Sequence, residues 1–172
     1  MEQVVLVDEN DQVLGTMEKL EAHRKGLLHR AFSILVFNSR GELLIQRRAD
    51  HKYHSAGLWS NTCCSHPRPD ESIESAAHRR LLEEMGFDCS LTKAFQFIYK
   101  AKLTPELYEH ELDHVLIGIY DGSPFFNKEE VSDYKFVSVE ELTSSLKKHP
   151  ERYTFWFKEI IEKYLELKGK NF

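Results

Sequence analysis

The stretch SNTCCSHPRPDESIESAAHRRLLEEMG, residues 60–86, joins a run of thiol and imidazole groups to a strongly helical segment. If the run Ser60 to Pro67 is extended, side chains alternate faces with a period of two, so Cys64 and His66 share a face and Cys63 points away. A thiol beside imidazole or basic groups is held partly as thiolate. We therefore predict a reactive Cys64 and a packing Cys63, although both cysteines could be buried as small hydrophobic residues.

The second half of this stretch predicts a helix from Asp70 to Met85. Pro69 and Asp70 are typical of a helix start, and Gly86 is typical of the position just past a helix end. The helical spacing gives a stripe that faces the core, formed by Ile73, Ala77, Leu81 and Met85. Glu84 borders that stripe, so it is either a surface residue of the last turn or a metal ligand that faces a cleft.

A basic segment precedes this stretch. Arg47, Arg48 and Lys52 follow a predicted strand, Glu42 to Gln46, where the chain leaves the sheet for a loop. Arginine offers a planar fork of donors and lysine a point charge, so a loop cluster of this kind commonly holds phosphate. The alternative is a solvated strand end that binds nothing.

The strand predicted from Glu109 to Tyr120 carries the third informative pattern. Period two places Glu109, Glu111 and Asp113 on one face, which continues into core residues. Burying neighbouring carboxylates is costly unless a cation neutralises them. A divalent metal would provide that charge; the alternative is that the two glutamates end the strand in solvent.

The remaining patterns complete one α/β domain over residues 1–172, with no linker or internal repeat. They predict an opening hairpin formed by Gln3 to Val7 and Gln12 to Thr16. Three further strands are predicted at His29 to Asn38, Phe95 to Ala101 and Tyr134 to Val139. Two C-terminal helices are predicted at Glu140 to Lys147 and at Pro150 to about Lys168.

Composition limits the classes of function. A net charge of −5 argues against nucleic acid as the main partner, because phosphate-backbone binding needs a basic surface. No apolar run approaches the roughly 20 residues of a membrane span, and the N-terminus lacks a signal-peptide pattern. Three cysteines do not form a disulfide framework. We therefore expect a cytoplasmic protein without membrane insertion.

Five residues of ligand type could share a transition metal such as zinc, manganese or iron: His23, His29, His66, Glu109 and Glu111. No single spacing among them is a signature, and each histidine alone could be a surface or core residue. A thiolate and a metal-bound carboxylate would form an acid and base pair on opposite sides of a substrate.

The ordered motifs of this chain resemble those of the type 1 isopentenyl diphosphate isomerases, members of the wider Nudix fold family. The resemblance rests on Glu18-Lys19 with His23, Leu28 to Phe32, Arg47-Arg48-Ala49, Gly57 to Pro67, Glu71 to Gly86, Tyr99, Glu109-His110-Glu111 and Tyr153 to Trp156. It implies a Nudix-type α/β/α sandwich with a mixed central sheet, an N-terminal hairpin and C-terminal helices.

The Nudix box itself is incomplete. Glu71, Arg79, Glu83, Glu84, Gly86 and Phe87 fall where the pattern asks for them. Ser65 replaces its first glycine, and Arg80 replaces the glutamate after its arginine. The lost carboxylate weakens the metal array of Nudix hydrolases, so this departure favours isomerisation over hydrolysis.

The resemblance implies that Cys64 and Glu111, assisted by Tyr99, move protons between isopentenyl and dimethylallyl diphosphate in isoprenoid precursor synthesis. Trp156 would stabilise the intermediate carbocation. The family pattern implies a divalent metal, Mn²⁺, Zn²⁺ or Mg²⁺, at His23, His29, His66, Glu109 and Glu111. It also implies a Mg²⁺ at Glu84 that bridges to the diphosphate, and diphosphate contacts from Lys19, Arg48, Lys52 and Arg80.

We expect a small isoprenoid diphosphate as the partner and a monomer or weak homodimer as the assembly. Two other functions fit parts of the pattern. A Nudix diphosphate hydrolase would release phosphate or pyrophosphate without an allylic product. In a noncatalytic metal-binding or regulatory module, Cys64 would be a ligand or a structural thiol.

Overall fold

The chain is organised around two long parallel strands in the middle of a mixed sheet. The structure is a computed structural model that describes residues 1–172. The elements follow in this order: β1 (Gln3–Val7), β2 (Val13–Glu18), α1 (Lys19–Lys25), β3 (His29–Phe37), β4 (Leu43–Arg48), β5 (Trp59–Ser60), β6 (Cys63–Ser65), α2 (Ile73–Met85), β7 (Leu91–Thr104), β8 (Leu107–Ile119), β9 (Val131–Val137), α3 (Val139–Lys148), a 3₁₀ turn (Pro150–Arg152) and α4 (Phe155–Leu167).

The strand pairing makes the sheet mixed. β3 runs parallel to β8, with His29 opposite Glu111 and Phe37 opposite Ile119. The other pairs are antiparallel: β1 with β2 and β3, β3 with β4 and β6, β4 with β5 and β9, and β7 with β8. This arrangement confirms the predicted opening hairpin and mixed sheet.

Helices cover both faces of the sheet. Along β3, Ile34 and Val36 belong to the core under α2, whereas Leu35 and Phe37 belong to the core under α3 and α4. Alternation along the strand thus supplies two hydrophobic layers, because successive side chains point to opposite faces. The predicted α/β/α sandwich is confirmed. No helix is long and apolar enough to cross a bilayer.

The helix predicted from Asp70 begins three residues later. Asp70 has φ of 64°, in the left-handed region, so it cannot start a right-handed helix. Ser72 is the N-cap and accepts a hydrogen bond from the Ser75 amide. Glu71 instead accepts hydrogen bonds from Arg79 and from the Arg68 amide, which fixes the loop before α2.

The helix predicted from Pro150 to Lys168 is interrupted. Tyr153 and Thr154 are extended, and Tyr153 pairs with Trp59 of β5. The Thr154 amide donates to the Trp59 carbonyl, and its hydroxyl lies 3.0 Å from that of Ser60. These bonds stop the helix at the 3₁₀ turn and let α4 begin at Phe155, which places Trp156 against the sheet.

Candidate active site

A cavity of about 570 Å³ opens at one end of the central strands. It brings together most of the residues predicted from the sequence, which line it as follows: Cys64, Tyr99, Glu111, His66, Glu109, Glu84, Lys19, Arg48, Lys52, Arg80 and Trp156. His23 and His29 do not line it and lie buried behind it, against the two glutamates.

Strand register explains why distant residues meet here. His29 of β3 is opposite Glu111 of β8 in the parallel pairing, and Glu111 is opposite Tyr99 of β7 in the antiparallel pairing. On the other side of β3, Ser33 is opposite Cys64 of β6. All of these positions face α4, because the same alternation places Leu35 in the core under that helix.

Cys64 and Cys63 have the opposite orientations that period two predicts. Cys64 lines the cavity and packs against the core under α4, whereas Cys63 is fully buried in the core under α2. The packing assignment of Cys63 is confirmed. Ser65 also lines the cavity, although alternation along an ideal strand would place it on the far side.

The expectation that Cys64 is partly thiolate is wrong. Burial raises the pKa of the Cys64 thiol to about 12, and the opposing effect of Arg48 is too small to offset it. Removing a thiolate from water is unfavourable, and Glu84, Glu111 and Asp113 add like charge. Cys64 is therefore a neutral thiol at neutral pH, in the form that can donate a proton.

The five predicted ligands form a single cluster, which we call the strand cluster: His23, His29, His66, Glu109 and Glu111. Their ligand atoms all lie within 4.8 Å of one another. His23 Nε2 is 3.3 Å from Glu109 Oε2, and His66 Nε2 is 3.1 Å from Glu111 Oε1. Three imidazoles and two carboxylates are a donor set suited to a divalent transition metal.

Unpaired polar atoms within the strand cluster fit a metal. His23 Nε2, His29 Nε2 and Glu109 Oε2 are buried and have no hydrogen-bond partner, although buried polar groups are almost always paired. His29 Nδ1 lies 2.9 Å from the Leu27 carbonyl, which leaves Nε2 free to face the other ligands. A cation would satisfy all three atoms.

The protonation of the imidazoles also suits a metal site. Burial lowers the pKa of His23 to about 3, helped by the neighbouring His29 and His66. Burial likewise lowers the pKa of His66. Neutral imidazole is the form that ligates metals. His23 and His66 are therefore in the neutral form that binds a metal at neutral pH.

The pKa values of the two glutamates are shifted in opposite directions. Burial raises the pKa of Glu109 well above its usual range, and the nearby charge of Glu111 adds to the shift. Burial also acts to raise the pKa of Glu111, but polar interactions with Glu109, His29 and His66 outweigh it and hold that pKa low. The Tyr99 hydroxyl donates to Glu111 Oε2 at 2.9 Å, and burial raises the pKa of Tyr99, which keeps it a donor.

A second group of charges, which we call the helix end, lies beside α2 and the loop before β9. Its members are Lys52, Arg80, Glu83, Glu84 and Glu130. Arg80 Nη2 is 2.6 Å from Glu84 Oε1 and 3.4 Å from Glu130 Oε1, and Lys52 forms a salt bridge with Glu130. The Gln46 amide donates to Glu84 Oε2 at 3.0 Å. Glu84 lies outside the strand cluster, so any metal it binds is a separate ion.

Sequence reasoning missed three residues of this region: Tyr53, His54 and Glu130. Burial, reinforced by Arg48, lowers the pKa of His54 to about 3, and His54 Nε2 lies 3.4 Å from Glu109 Oε1. Both Tyr53 and His54 lie in an irregular loop, where no periodicity indicates which side chains point inward. Repeated aromatic and imidazole groups beside the basic segment were the only available signal.

Two comparisons define the class of protein. The sequence profile of the NUDIX domain matches residues 27–159. The crystal structure of DR0079 from Deinococcus radiodurans superposes with a TM-score of 0.80 at 22% identity, covering 94% of this chain and 98% of that one, and supports the fold alone. The chain is therefore a member of the Nudix domain family and has its fold.

Relatives of higher identity narrow the class. The isopentenyl-diphosphate Delta-isomerase 2 of Aromatoleum aromaticum is 52% identical over 170 residues, covering 99% of this chain and 90% of the relative. The isopentenyl-diphosphate Delta-isomerase 2 of Photorhabdus laumondii subsp. laumondii is 56% identical over 158 residues, covering 92% and 89% respectively. The chain therefore belongs to the isopentenyl-diphosphate Delta-isomerase family, as its motifs predicted.

Proposed function

We propose that this enzyme converts isopentenyl diphosphate to dimethylallyl diphosphate with Cys64 and Glu111 as its proton-transfer pair. The observation that carries this proposal is the shared cavity, which holds a neutral thiol and a buried, hydrogen-bonded carboxylate beside a set of cations. Family membership supplies the reaction, an allylic isomerisation in isoprenoid precursor synthesis. The residue roles are inferred from the geometry and from the family motifs.

The reaction requires two proton transfers and no net change in composition. One proton is added to the terminal alkene carbon, which leaves a tertiary carbocation. Another proton is removed from the carbon next to the one that bears the diphosphate. Two acid-base groups on opposite sides of the substrate can perform these steps without large movement.

Glu111 and Cys64 fit these two roles. Tyr99 donates to Glu111 Oε2 and so orients the carboxyl group toward the cavity. Cys64 lies on the neighbouring strand pair and carries its own proton. The pairing of the two groups is the proposal, and the direction of each transfer is open.

A divalent metal, Mn²⁺, Zn²⁺ or Mg²⁺, would be held by the strand cluster, where it would fix the carboxyl groups and lower the pKa of those it binds. The residues of this cluster are His23, His29, His66, Glu109 and Glu111, and their unpaired atoms support the assignment. Glu84 would hold a second ion, Mg²⁺, that accompanies the diphosphate.

The diphosphate would be bound by four cations that line the cavity: Lys19, Arg48, Lys52 and Arg80. Three of them now contact carboxylates: Lys19 contacts Glu2, whereas Lys52 and Arg80 share Glu130. A bound diphosphate would compete with these carboxylates, because charge-assisted hydrogen bonds to phosphate oxygens are strong.

Trp156 would protect the carbocation. Its indole is only 4% exposed and lines the cavity. The π face of tryptophan attracts cations by about 2 kcal/mol or more when water is excluded. Excluding water also prevents capture of the cation as an alcohol. We further propose that residues 1–172 act as one domain, as a monomer or weak homodimer in the cytoplasm.

Proton NMR of isopentenyl diphosphate in heavy water tests this function directly. We expect the enzyme with Mg²⁺ to produce dimethylallyl diphosphate that carries solvent deuterium. Release of phosphate or pyrophosphate without an allylic product would contradict the proposal and indicate a Nudix hydrolase. Unchanged turnover in Cys64→Ala would contradict the assigned pair while leaving the reaction class intact.

A further inference from the structure

Two neighbouring residues of the loop between β4 and β5 contact the strand cluster from outside. Tyr53 is half exposed and His54 has a side chain that is only 7% exposed. Neither belongs to the five ligands whose atoms gather within 4.8 Å. Each nevertheless contacts one of those ligands, and the two contacted ligands face each other.

Tyr53 contacts the outer nitrogen of His23. Its hydroxyl lies 3.2 Å from His23 Nδ1, while His23 Nε2 points toward Glu109 Oε2 at 3.3 Å. A neutral imidazole carries one proton, so a nitrogen that ligates a metal leaves the proton on the other nitrogen. The His23 Nδ1–H would then donate to the Tyr53 oxygen. This bond fixes the ring with Nε2 toward the centre of the strand cluster.

His54 contacts the outer oxygen of Glu109. Its Nε2 lies 3.4 Å from Glu109 Oε1, and Oε2 of the same carboxyl group is the unpaired atom that faces His23. The His54 ring is held in turn, because Nδ1 lies 3.2 Å from the Ser55 hydroxyl and the ring packs edge-on against Tyr53 and Trp156. An N–H on Nε2 at this position would hold Oε1 and turn Oε2 inward.

We propose that Tyr53 and His54 are positioning residues for the metal centre, with Tyr53 orienting His23 and His54 orienting Glu109. Outer partners of metal ligands fix tautomer and orientation, and their loss typically weakens metal affinity about 10- to 100-fold. This inference rests on the proposed metal site in the strand cluster. It assigns a second role to the loop that also carries Lys52.

The loop also joins the metal centre to the diphosphate end of the cavity. Arg48 Nη2 donates to the His54 carbonyl at 3.3 Å, and its guanidinium lies 5.5 Å from the centre of the Trp156 ring system. The backbone that carries His54 therefore also holds a proposed substrate-binding arginine. Because the contact uses the His54 carbonyl, replacing the His54 side chain leaves it available.

Binding of Mn²⁺ alone to metal-free protein tests the inference without reference to catalysis. The concentration of free Mn²⁺ is measured from its electron paramagnetic resonance signal in titrations of the wild-type protein, Tyr53→Phe and His54→Phe. Each substitution keeps an aromatic ring and removes one polar contact. We expect the Kd for Mn²⁺ to rise about 10-fold or more in each variant. His54→Gln keeps an N–H donor and should recover most of the affinity.

Matched controls separate these contacts from the general loss of a polar group. Tyr164→Phe changes a tyrosine that stacks on Phe37. His78→Asn changes a histidine of α2 that pairs with Asp88. Both should bind Mn²⁺ as wild type does. A thermal melt of each metal-free variant confirms that binding is measured on folded protein.

The outcomes distinguish failure of the inference about Tyr53 and His54 from failure of the proposed metal site. If His23→Ala abolishes binding but Tyr53→Phe and His54→Phe leave the Kd unchanged, the inference about the loop is wrong and the metal site stands. If His23→Ala itself leaves binding unchanged, the metal site and the loop inference both fail. Equal weakening in His54→Phe and His54→Gln would also overturn the role assigned to the His54 N–H.

Discussion

The two ends of the cavity balance their charges in different ways. In the strand cluster, buried nitrogen and oxygen atoms of His23, His29 and Glu109 face one another without hydrogen bonds. At the helix end, the Arg80 guanidinium contacts Glu83, Glu84 and Glu130. The strand cluster would take its cation from outside the chain, whereas at the helix end Arg80 already pairs with the carboxylates.

This difference shows how one fold can support different chemistry. The Nudix box normally concentrates carboxylates on its helix, and here Arg80 replaces one of them. A guanidinium cannot ligate a metal and neutralises the carboxylates beside it. The larger group of metal-type ligands instead comes from β3, β8, α1 and the end of β6. We infer that proton transfer depends on the strand cluster and that the helix end mainly binds the diphosphate.

The largest predicted effect is at Cys64, beside the strand cluster. Cys64→Ala removes a proton donor, and general acid-base groups typically contribute about 10²- to 10⁴-fold to rate. We expect kcat to fall by that order, measured by NMR turnover. Cys63→Ala is the matched control, because its thiol is in the core under α2. Similar losses of kcat in both variants would show that the effect is structural.

Arg80→Met tests the role of the helix end. A hydrogen bond to a charged group contributes about 1.5–3 kcal/mol, so we expect KM for isopentenyl diphosphate to rise about 10- to 100-fold. The change in kcat should be smaller, since Arg80 contacts no group assigned to proton transfer. Steady-state kinetics separates the two constants, with Arg40→Met in the exposed β3–β4 turn as control. A fall in kcat at unchanged KM would contradict this division of roles.

His23 should contribute stability to the metal-free protein that is lost in acid. The pKa of His23 is lowered to about 3, below its ordinary value of 6.5, so the unfolded chain binds a proton that the folded chain does not. This contribution of His23 is therefore lost as pH falls from about 6.5 toward 3, whereas the raised pKa of Glu109 acts in the opposite direction. His23 and His54 each change the free energy of unfolding by at most about 1.4 kcal/mol per pH unit.

Urea unfolding of chelator-treated protein at about pH 7 and about pH 5.5 measures this slope. In His23→Asn the change in unfolding free energy per pH unit should decrease by about the contribution of one histidine. An unchanged slope in His23→Asn would contradict the neutral, buried state of His23.

The smallest predicted effect is at Trp156, which lines the cavity and packs against His54 and Arg48. Trp156→Phe keeps an aromatic face of weaker cation attraction, a difference on the order of 0.5–1 kcal/mol. We expect kcat to fall a few-fold with little change in KM. Trp59→Phe is the control, because Trp59 stacks with Lys135 outside the cavity. A loss confined to KM would indicate that Trp156 only packs against Arg48.

Sequence alone predicted the residues whose positions follow from strand periodicity. Period two separated Cys64 from Cys63 and aligned Glu109 with Glu111, and the structure has these orientations. Helix boundaries were less accurate, because Asp70 has a left-handed backbone and Thr154 is bonded to β5. Those bonds join residues far apart in sequence, which local patterns do not show.

The protonation of Cys64 and the residues of the β4–β5 loop required the folded structure. The sequence places His66 near Cys64 but gives no measure of burial, which is the main cause of the raised Cys64 pKa. The contacts of Tyr53 and His54 likewise depend on the path of an irregular loop. Glu130 pairs with Arg80 across about fifty positions of sequence, so no spacing rule predicts it.

Anomalous diffraction from crystals grown with Mn²⁺ tests the central claim most directly. The contrast between the two ends predicts a manganese peak among His23, His29, His66, Glu109 and Glu111 in the protein without substrate. A peak beside Glu84 alone, with none in the strand cluster, would contradict the account, because it would place the resident metal on the Nudix helix.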